Sequence, residues 1–366
     1  MNRSLIFKQL FDQTSGTYSY LLADNNTREA LLIDPVYEQY ERDLALISEL
    51  DLQLLACLDT HCHADHVTGA WLLKHTLGCQ IIASRHSGIE LLDRNLKEGD
   101  KVIFGAHVLI VIETPGHTDG CISLLLDDQS MIFTGDSLLI RGCGRTDFQQ
   151  GSASRLFHSI KDKLFKLPDT CLVYPAHDYS GRTVSTIGEE KALNPRIGGL
   201  ANEIDFVGYM ENMQLPHPKL LAIAVPANLK AGRPTEDRLP KQPEWAPVVT
   251  TYSGTLEISP QWVASHMNEV MILDVRTLVE TDEESARIQG AILIPVNELR
   301  ARINEVPEDK PVMTICRSGK RSVLAYNILR AAGRKQVASI KGGLLRWYEE
   351  GLPLVQEKQP DIVQDI

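Results

Sequence analysis

The sequence lacks the features of a secreted, membrane-spanning or nucleic-acid-binding protein. No apolar run approaches the roughly 18–20 residues of a membrane helix, and the first residues lack the apolar core of a signal peptide. Its seven cysteines are an odd number without a C-x-x-C pair, which favours reduced thiols and predicts a cytoplasmic protein. The formal net charge of −11 argues against a basic nucleic-acid-binding face. We therefore expect neither a membrane nor a nucleic acid as partner.

Length and composition indicate a folded chain with more than one domain. Apolar residues make up 43% of the 366 residues, which is enough for sizeable cores, and a domain averages about 150 residues. A polar stretch punctuated by five prolines, residues 226–254, predicts a linker between domains at 1–225 and 255–366. The oligomeric state stays open, a homodimer included.

Apolar runs alternate with helical patterns in both regions, which predicts two α/β folds with a small parallel sheet in the second. In the first region we expect strands at residues 30–34, 54–58, 108–113, 123–126, 131–133 and 171–174, and helices at 41–50 and 70–77. In the second region we expect strands at 271–275, 291–294 and 312–315 and a helix at 322–332.

Histidines and carboxylates cluster just after the ends of these predicted strands. The motif H-C-H-A-D-H occupies residues 61–66, and three further strands are followed by His117, Asp136 and His177. Neutral imidazoles and carboxylates bind divalent first-row metals, and an incomplete ligand set leaves positions open for substrate. A lone histidine is more often an ordinary loop residue, but the combined pattern predicts a metal site. The spacing alone does not distinguish one ion from two.

Residues 5–230 resemble the metallo-β-lactamase superfamily and, within it, the persulfide dioxygenases. The resemblance rests on the motifs HCHADH, PGHT, TGD, RGCGRTDFQQG and YPAHDY, of which the fourth, at 141–151, is the most specific. It implies an αββα sandwich with one Fe(II) per chain held by His61, His117 and Asp136. It further implies that five residues support these ligands without binding the metal themselves: His63, Asp65, His66, Tyr174 and His177. Tyr174 would place its hydroxyl near the iron.

Two arginines in the specific motif are candidates for substrate binding. Two histidines and one aspartate on Fe(II) leave positions for O₂ and a sulfur substrate. Near such a site, Arg141 and Arg145 could hold the carboxylates of glutathione in fork geometry, the alternative being ordinary surface charges. Cys62 and Cys143 are expected to be structural, because the side chain of Cys62 should point away from its neighbours in an extended segment.

A second candidate site lies in the loop of residues Cys316, Arg317, Ser318, Gly319, Lys320 and Arg321, between a predicted strand and helix. Backbone N–H groups and three cations around such a loop favour a thiolate or persulfide on Cys316. A phosphatase loop of the C-x₅-R type would need one more residue. The region 255–356 resembles a single-domain rhodanese through LDVR, GAILIP, CRSGKRS and KGG. It departs from the family at 287–291, which affects a structural turn more than the loop.

Together the two resemblances imply a bifunctional enzyme of sulfur metabolism. The first domain would oxidise glutathione persulfide with O₂ to sulfite and glutathione. The second would carry sulfane sulfur on Cys316 between thiosulfate and glutathione, in a direction that the sequence leaves open. One alternative is a dizinc thioester hydrolase like glyoxalase II with an appended sulfur-carrier domain. Another is a non-catalytic sulfur carrier or sensor. Metal content and oxygen uptake separate the three.

Overall fold

The chain forms two compact units, Met1–Leu239 and Pro240–Ile366. The structure is a computed structural model, and it describes residues 5–216, 218–240, 243–284 and 286–356. Each unit has its own sheets and its own hydrophobic core.

The first unit contains two six-stranded sheets. The strands of the first sheet, in spatial order, are β1 (Leu5–Asp12), β2 (Thr17–Asp24), β3 (Glu29–Ile33), β4 (Gln53–Asp59), β5 (Gln80–Ser84) and β6 (Arg94–Leu96). Pairing is antiparallel from β1 to β3 and parallel from β3 to β6. The predicted strands at 30–34 and 54–58 are confirmed as β3 and β4.

The strands of the second sheet are β7 (Lys101–Phe104), β8 (His107–Glu113), β9 (Ile122–Leu126), β10 (Met131–Gly135), β11 (Leu172–Pro175) and β12 (Ser185–Thr186). Only β10 and β11 pair in parallel. Four of these strands were predicted from their apolar runs. Alternation in β8 shows why the runs are continuous: Leu109 and Val111 face the core between the sheets, whereas Ile110 and Ile112 pack against the outer core.

Helices cover the outer face of each sheet, which gives the expected αββα sandwich. The helices of the first unit are α1 (Tyr40–Glu49), α2 (Ala70–Leu77), α3 (Ala153–His158), α4 (Ile187–Leu193), α5 (Glu203–Glu211) and α6 (Leu221–Asn228). The first two match the predictions, and Gly78 ends α2 with φ of +73°, a conformation that glycine adopts at low cost. Three apolar layers result: one between the sheets and one under each set of helices.

The boundary between the units differs from the predicted linker. Pro226 lies inside α6, and the first unit extends to Leu239. Ala231 is fully buried, and its carbonyl accepts a hydrogen bond from Trp71 at the start of α2. Residues 226–239 therefore belong to the first unit. The linker prediction depended on proline and charge content, which does not show tertiary contacts such as that of Ala231 with Trp71.

The second unit is a mixed, mostly parallel sheet with helices. Its sheet strands in spatial order are β13 (Val249–Thr250), β14 (Leu256–Ile258), β19 (Val337–Ile340), β18 (Val312–Ile315), β15 (Met271–Asp274) and β17 (Ile292–Leu293). A separate pair is β16 (Ala286–Arg287) with β20 (Val355–Gln356), and the helices are α7 (Pro260–Ser265), α8 (Leu278–Glu284), α9 (Lys320–Ala331) and α10 (Gly343–Glu349). The expected parallel sheet is confirmed, with β13 antiparallel at its edge.

The cysteines and the lengths of the helices bear on the expectations of reduced thiols and of no membrane span. All seven cysteines are described, buried and without a disulfide. Within the described ranges, every helix is too short or too polar to cross a lipid bilayer.

Candidate metal centre and sulfur-transfer loop

The H-C-H-A-D-H loop starts where β4 ends, and a buried aspartate organises its first residues. Asp34, at the end of β3, accepts hydrogen bonds from the backbone N–H of Thr60 (2.7 Å) and from its hydroxyl (2.9 Å). It also lies 3.0 Å from Nε2 of His63. The parallel β3–β4 pairing places this carboxylate beside the loop, which fixes the backbone that presents His61.

Three side chains from three strand ends converge as one candidate metal site. One donor atom each from His61, His117 and Asp136 lies within 4.8 Å of the other two, and Nε2 of His117 is 3.7 Å from Oδ2 of Asp136. The Nδ1 of His61 lies 3.0 Å from the Thr60 hydroxyl, and Nδ1 of His117 donates to the carbonyl of Arg145 at 2.6 Å. The His117 ring therefore directs its Nε2 towards the aspartate.

Glycines allow the backbone to approach this cluster closely. Gly135, which precedes Asp136, has φ of +52°, and a Cβ there would lie 2.7 Å from the Thr60 hydroxyl oxygen. A Cβ on Gly144 would lie 2.5 Å from the carbonyl oxygen of Asp136 and 2.7 Å from Nδ1 of His117. The TGD and RGCG motifs are thus specific because larger residues would displace the ligands.

The charges at this cluster suit a cation. Burial lowers the pKa of His61 well below its usual value, so its ring is neutral and able to act as a ligand. Burial alone would raise the pKa of Asp136, but the charge and hydrogen bond of His177 outweigh it and keep the carboxyl ionised. Two imidazoles and one carboxylate fit a divalent first-row ion, whose ligands lie about 2.0–2.2 Å from it.

The remaining motif residues form a hydrogen-bonded cluster beside the first. Nδ1 of His177 lies 2.6 Å from Oδ1 of Asp136, and its Nε2 lies 2.9 Å from Oδ2 of Asp65. The same Asp65 oxygen is 3.0 Å from Nδ1 of His66. His63 is held by Asp34, whose charge overcomes burial and raises the pKa of His63 to about 9. These four residues lie beside the three candidate ligands, and their supporting role stays a prediction, because their donor atoms could also reach a second ion.

A cavity of about 230 Å³ opens onto the cluster. Its walls include the three candidate ligands together with Phe148, Tyr179 and Arg196. Both arginines proposed for substrate binding also line it. The site is therefore accessible to a small molecule, and its polar wall carries both arginines and aspartates.

The guanidinium groups of Arg141 and Arg145 already contact carboxylates. Arg141 pairs with Glu190, which is fully buried, and at 2.7 Å with Glu189. Arg145 binds Asp147 through Nε and Nη2, both at 2.6 Å, and its Nη1 donates to the carbonyl of Pro216. Both guanidinium groups are therefore engaged. With side-chain exposures of 25% for Arg141 and 12% for Arg145, each would have to exchange an existing partner to bind a ligand.

The expectation for Tyr174 is wrong. Its ring packs between the sheets, 4.8 Å from the ring of Phe7 and 5.7 Å from that of Phe133. Strand alternation in β11 sends Val173 to the outer core and Tyr174 to the inner one. The tyrosine that lines the cavity is Tyr179, stacked on His177 at 6.0 Å between ring centroids.

Sequence reasoning also missed Asn228, at the end of α6. Its side-chain amide donates to the carbonyls of His63 (2.9 Å) and His66 (2.8 Å), and its Oδ1 accepts from the backbone N–H of Thr68 (2.8 Å). Asn228 is 1% exposed. It secures the metal-motif loop from 162 residues away, within the stretch that composition assigned to a linker.

The two cysteines expected to be structural are placed accordingly. Cys62 is 5% exposed and lies outside the candidate ligand group formed by His61, His117 and Asp136. Burial raises the pKa of Cys62 to about 12 and that of Cys143 to about 11, so both remain protonated thiols.

In the second unit, Cys316 follows β18 and begins the loop that leads into α9. Its carbonyl accepts from the N–H of Leu344, and the Arg317 carbonyl accepts from Leu345, which ties the loop to α10. Gly319 adopts φ of +86°, and a Cβ on Gly343 would lie 2.4 Å from the Cys316 carbonyl oxygen. These glycines keep the loop tight around the cysteine.

The polar environment of the loop is partly neutralised. The hydroxyl of Ser322 lies 3.8 Å from Sγ of Cys316 and donates to the carbonyl of Gly319 at 2.9 Å. Arg321 forms two 2.6 Å hydrogen bonds to Glu280 on α8. Arg317, Ser318 and Lys320 are exposed at the mouth of the loop. The structure thus brings all six predicted loop residues together, and a carboxylate engages Arg321.

Comparison with protein families agrees with the two units. The model described as Metallo-beta-lactamase superfamily matches residues 13–177, and the model described as Rhodanese-like domain matches residues 259–350. Each match falls within one of the two compact units.

Known relatives define the first unit more narrowly. Persulfide dioxygenase ETHE1, mitochondrial, from Mus musculus is 53% identical over 229 residues, or 62% of this chain and 89% of that protein. The protein of the same name from Homo sapiens is 52% identical with the same coverage. The crystal structure of ETHE1 from Myxococcus xanthus matches with 51% identity and a TM-score of 0.60, covering 62% of this chain and 99% of that one. The chain belongs to the persulfide dioxygenase family of the metallo-β-lactamase superfamily and carries a rhodanese-like domain.

Proposed function

We propose that the first unit is an iron-dependent dioxygenase that converts glutathione persulfide to sulfite and glutathione. The observation that carries the proposal is the three-ligand set of His61, His117 and Asp136, together with the hydrogen bonds that engage the other motif residues. The identity of more than half to proteins named persulfide dioxygenase supports the choice of reaction. A ferrous ion with two imidazoles and one carboxylate supplies binding and activation of O₂.

The chain's own residues would position the substrate. The cavity wall carries Arg145 and Arg196, whose cationic groups suit the carboxylates of a glutathione tripeptide. Phe148 lies 6.0 Å from the ring of His117, so an apolar surface borders the ligands. Tyr179 also lines the cavity, stacked on His177. The sulfur end of the peptide would then face the metal and its charged end the arginines.

We propose sulfur transfer through Cys316 for the second unit. The Cys316 thiolate would attack the outer sulfur of thiosulfate, forming a cysteine persulfide as sulfite leaves. A glutathione thiolate would then attack the outer sulfur of that persulfide, giving glutathione persulfide and restoring the thiolate. The support is the tight loop, whose backbone and cations favour anionic sulfur. The reverse direction would produce thiosulfate from sulfite.

One observation favours a second candidate, a dizinc hydrolase of the glyoxalase II kind. Within the described ranges, Nδ1 of His63 and Nε2 of His66 are buried without a hydrogen-bond partner, as unused ligand atoms would be. Against it, His63 is anchored to Asp34, and Asp65 already serves His66 and His177. We therefore favour a single ion.

The test is oxygen uptake with glutathione persulfide on iron-loaded protein, measured together with metal content by mass spectrometry. We expect one iron per chain and one O₂ consumed per sulfite formed. Two zinc ions per chain, with thioester hydrolysis and no oxygen uptake, would replace the proposal with the hydrolase. Sulfurtransferase assays with thiosulfate and glutathione test the second unit separately.

A further inference from the structure

Two buried serines connect the sulfur of Cys316 to the core of the second unit. Ser322 is the third residue of α9, and Ser339 lies on β19, which pairs with β18; both side chains are fully buried. The hydroxyl of Ser339 donates to that of Ser322 at 2.9 Å. The same Ser322 oxygen lies 3.8 Å from Sγ of Cys316. The cysteine therefore has a polar contact beneath the loop, and the loop residues themselves do not supply it.

The Ser322 hydroxyl has one proton and two neighbours that could accept it, the carbonyl of Gly319 and the sulfur of Cys316. It donates to the Gly319 carbonyl at 2.9 Å, and its oxygen accepts from Ser339 and from the Cys316 thiol. While the cysteine is protonated, the donor and both lone pairs of this hydroxyl are thus engaged. Once the sulfur has lost its proton, it becomes an acceptor for the Ser322 hydroxyl.

Turning the Ser322 hydroxyl towards the sulfur keeps the Gly319 carbonyl bonded. That carbonyl also accepts from the backbone N–H of Val323 at 3.4 Å. Ser339 would continue to donate to the Ser322 oxygen, which polarises the O–H bond and strengthens it as a donor. A hydrogen bond to an anion is roughly twice as strong as one to a neutral acceptor. The exchange of partners is therefore favourable when the sulfur is charged.

We propose that Ser322 is a further catalytic residue of the second unit, whose hydroxyl stabilises the Cys316 sulfur whenever that sulfur is anionic. The inference rests on the sulfur transfer proposed above and adds a residue outside the six-residue loop. Ser339 is a positioning residue, because it acts through the Ser322 hydroxyl.

The sulfur of Cys316 is anionic at the start and at the end of each turnover. First, its thiolate forms a bond to the outer sulfur of thiosulfate, and sulfite leaves with the electron pair of the broken S–S bond. Later, a glutathione thiolate bonds to the outer sulfur of the cysteine persulfide, and the Cys316 sulfur leaves with the electron pair. A donor to this sulfur therefore favours the nucleophile in one step and the leaving group in the other.

The experiment measures the two half-reactions of the full chain separately. Reduced protein is mixed with thiosulfate, and the persulfide is trapped by alkylation and counted by mass spectrometry on the peptide that contains Cys316. The persulfide form, freed of thiosulfate, is then discharged with glutathione. Ser322→Ala removes the proposed donor. The matched control is Thr314→Val, which removes another buried hydroxyl of this region, one that donates to the carbonyls of Ser322 and Ala338.

Ser322→Ala should slow both half-reactions. A hydrogen bond to an anion contributes a factor of about ten or more. A stabilised thiolate is also a weaker nucleophile, so persulfide formation should slow by about threefold or more. The thiosulfate concentration that gives half the maximal rate should not change, because the buried Ser322 hydroxyl serves the cysteine sulfur and not the bound thiosulfate. Thr314→Val should retain the wild-type rates.

Wild-type rates in Ser322→Ala would overturn the role of Ser322 and leave the sulfur-transfer proposal in place. Equal losses in Ser322→Ala and Thr314→Val would overturn it too, because they would show a general effect on the fold. If the wild type forms no persulfide, the sulfur-transfer proposal fails and the inference with it. If Ser322→Ala does not fold, Ser339→Ala decides: slower half-reactions support the inference, and wild-type rates overturn it.

Discussion

Replacing Asn228 with alanine should weaken both the fold and the metal site. The change removes three buried hydrogen bonds, to the carbonyls of His63 and His66 and from the N–H of Thr68. At about 1 kcal/mol net for each bond, the first unit should lose about 3 kcal/mol of unfolding free energy. For a unit of this size that corresponds to a melting temperature about 6–12 °C lower.

Differential scanning calorimetry of the full chain measures this shift. The matched control is Asn212→Ala, at the exposed end of α5, where the amide makes one bond to the carbonyl of Gly208; its effect should stay within about 0.5 kcal/mol. Iron affinity should also fall about 10–100-fold in Asn228→Ala, because the loop that bears His61 loses its support. Equal melting temperatures for the two variants would refute the role assigned to Asn228.

Four further substitutions test the two sites and the ion pair beside the second. His117→Ala should abolish oxygen consumption and spare sulfur transfer, and Cys316→Ser should do the reverse; loss of both activities from either folded variant contradicts two independent sites. Arg145→Ala should raise KM for glutathione persulfide more than it lowers iron content. The substitution keeps the main-chain carbonyl of Arg145 that holds His117, so the metal site should persist. Loss of iron with an unchanged KM would contradict the substrate-binding role of Arg145. Hydrogen bonds from Arg321 lower the pKa of Glu280 from 4.5 to about 2, so its stabilisation is complete above pH 4.5 and disappears as pH falls through about 2. Between pH 5 and 2.5 the melting temperature of the second unit should therefore fall more in the wild type than in Glu280→Gln, and parallel profiles would contradict the pairing.

Local patterns in the sequence were sufficient to predict most of the fold. Runs of apolar residues identified β3, β4, β8 and the strand that leads to Cys316. A strand that is buried on both faces has apolar side chains at consecutive positions, so the sequence shows it directly. Ligand types placed after strand ends predicted the metal cluster, since packed strands hold their ends at fixed positions. The resemblance to known families then supplied the choice among candidate ligands.

Alternation within a strand could have corrected one error. Tyr174 is the first residue of the YPAHDY motif and the third of the four residues of β11, and its neighbour Val173 faces the outer core. Applying the two-residue period to β11 places the Tyr174 ring between the sheets, as found. Tyr179, beyond the strand, carries no such periodic signal, so its position over His177 depended on the path of the loop.

The sequence by itself determined which residue types lie at the ends of which strands, because strand and turn signals are local. Only the tertiary structure decided the contacts between distant segments: Asn228 under the metal-motif loop, Thr17 against His177, and Glu280 on Arg321. Each of these pairs is separated by 41–165 residues. No local preference specifies such a pair, because its partners meet only after the sheets have packed and buried polar groups must find hydrogen bonds inside the fold.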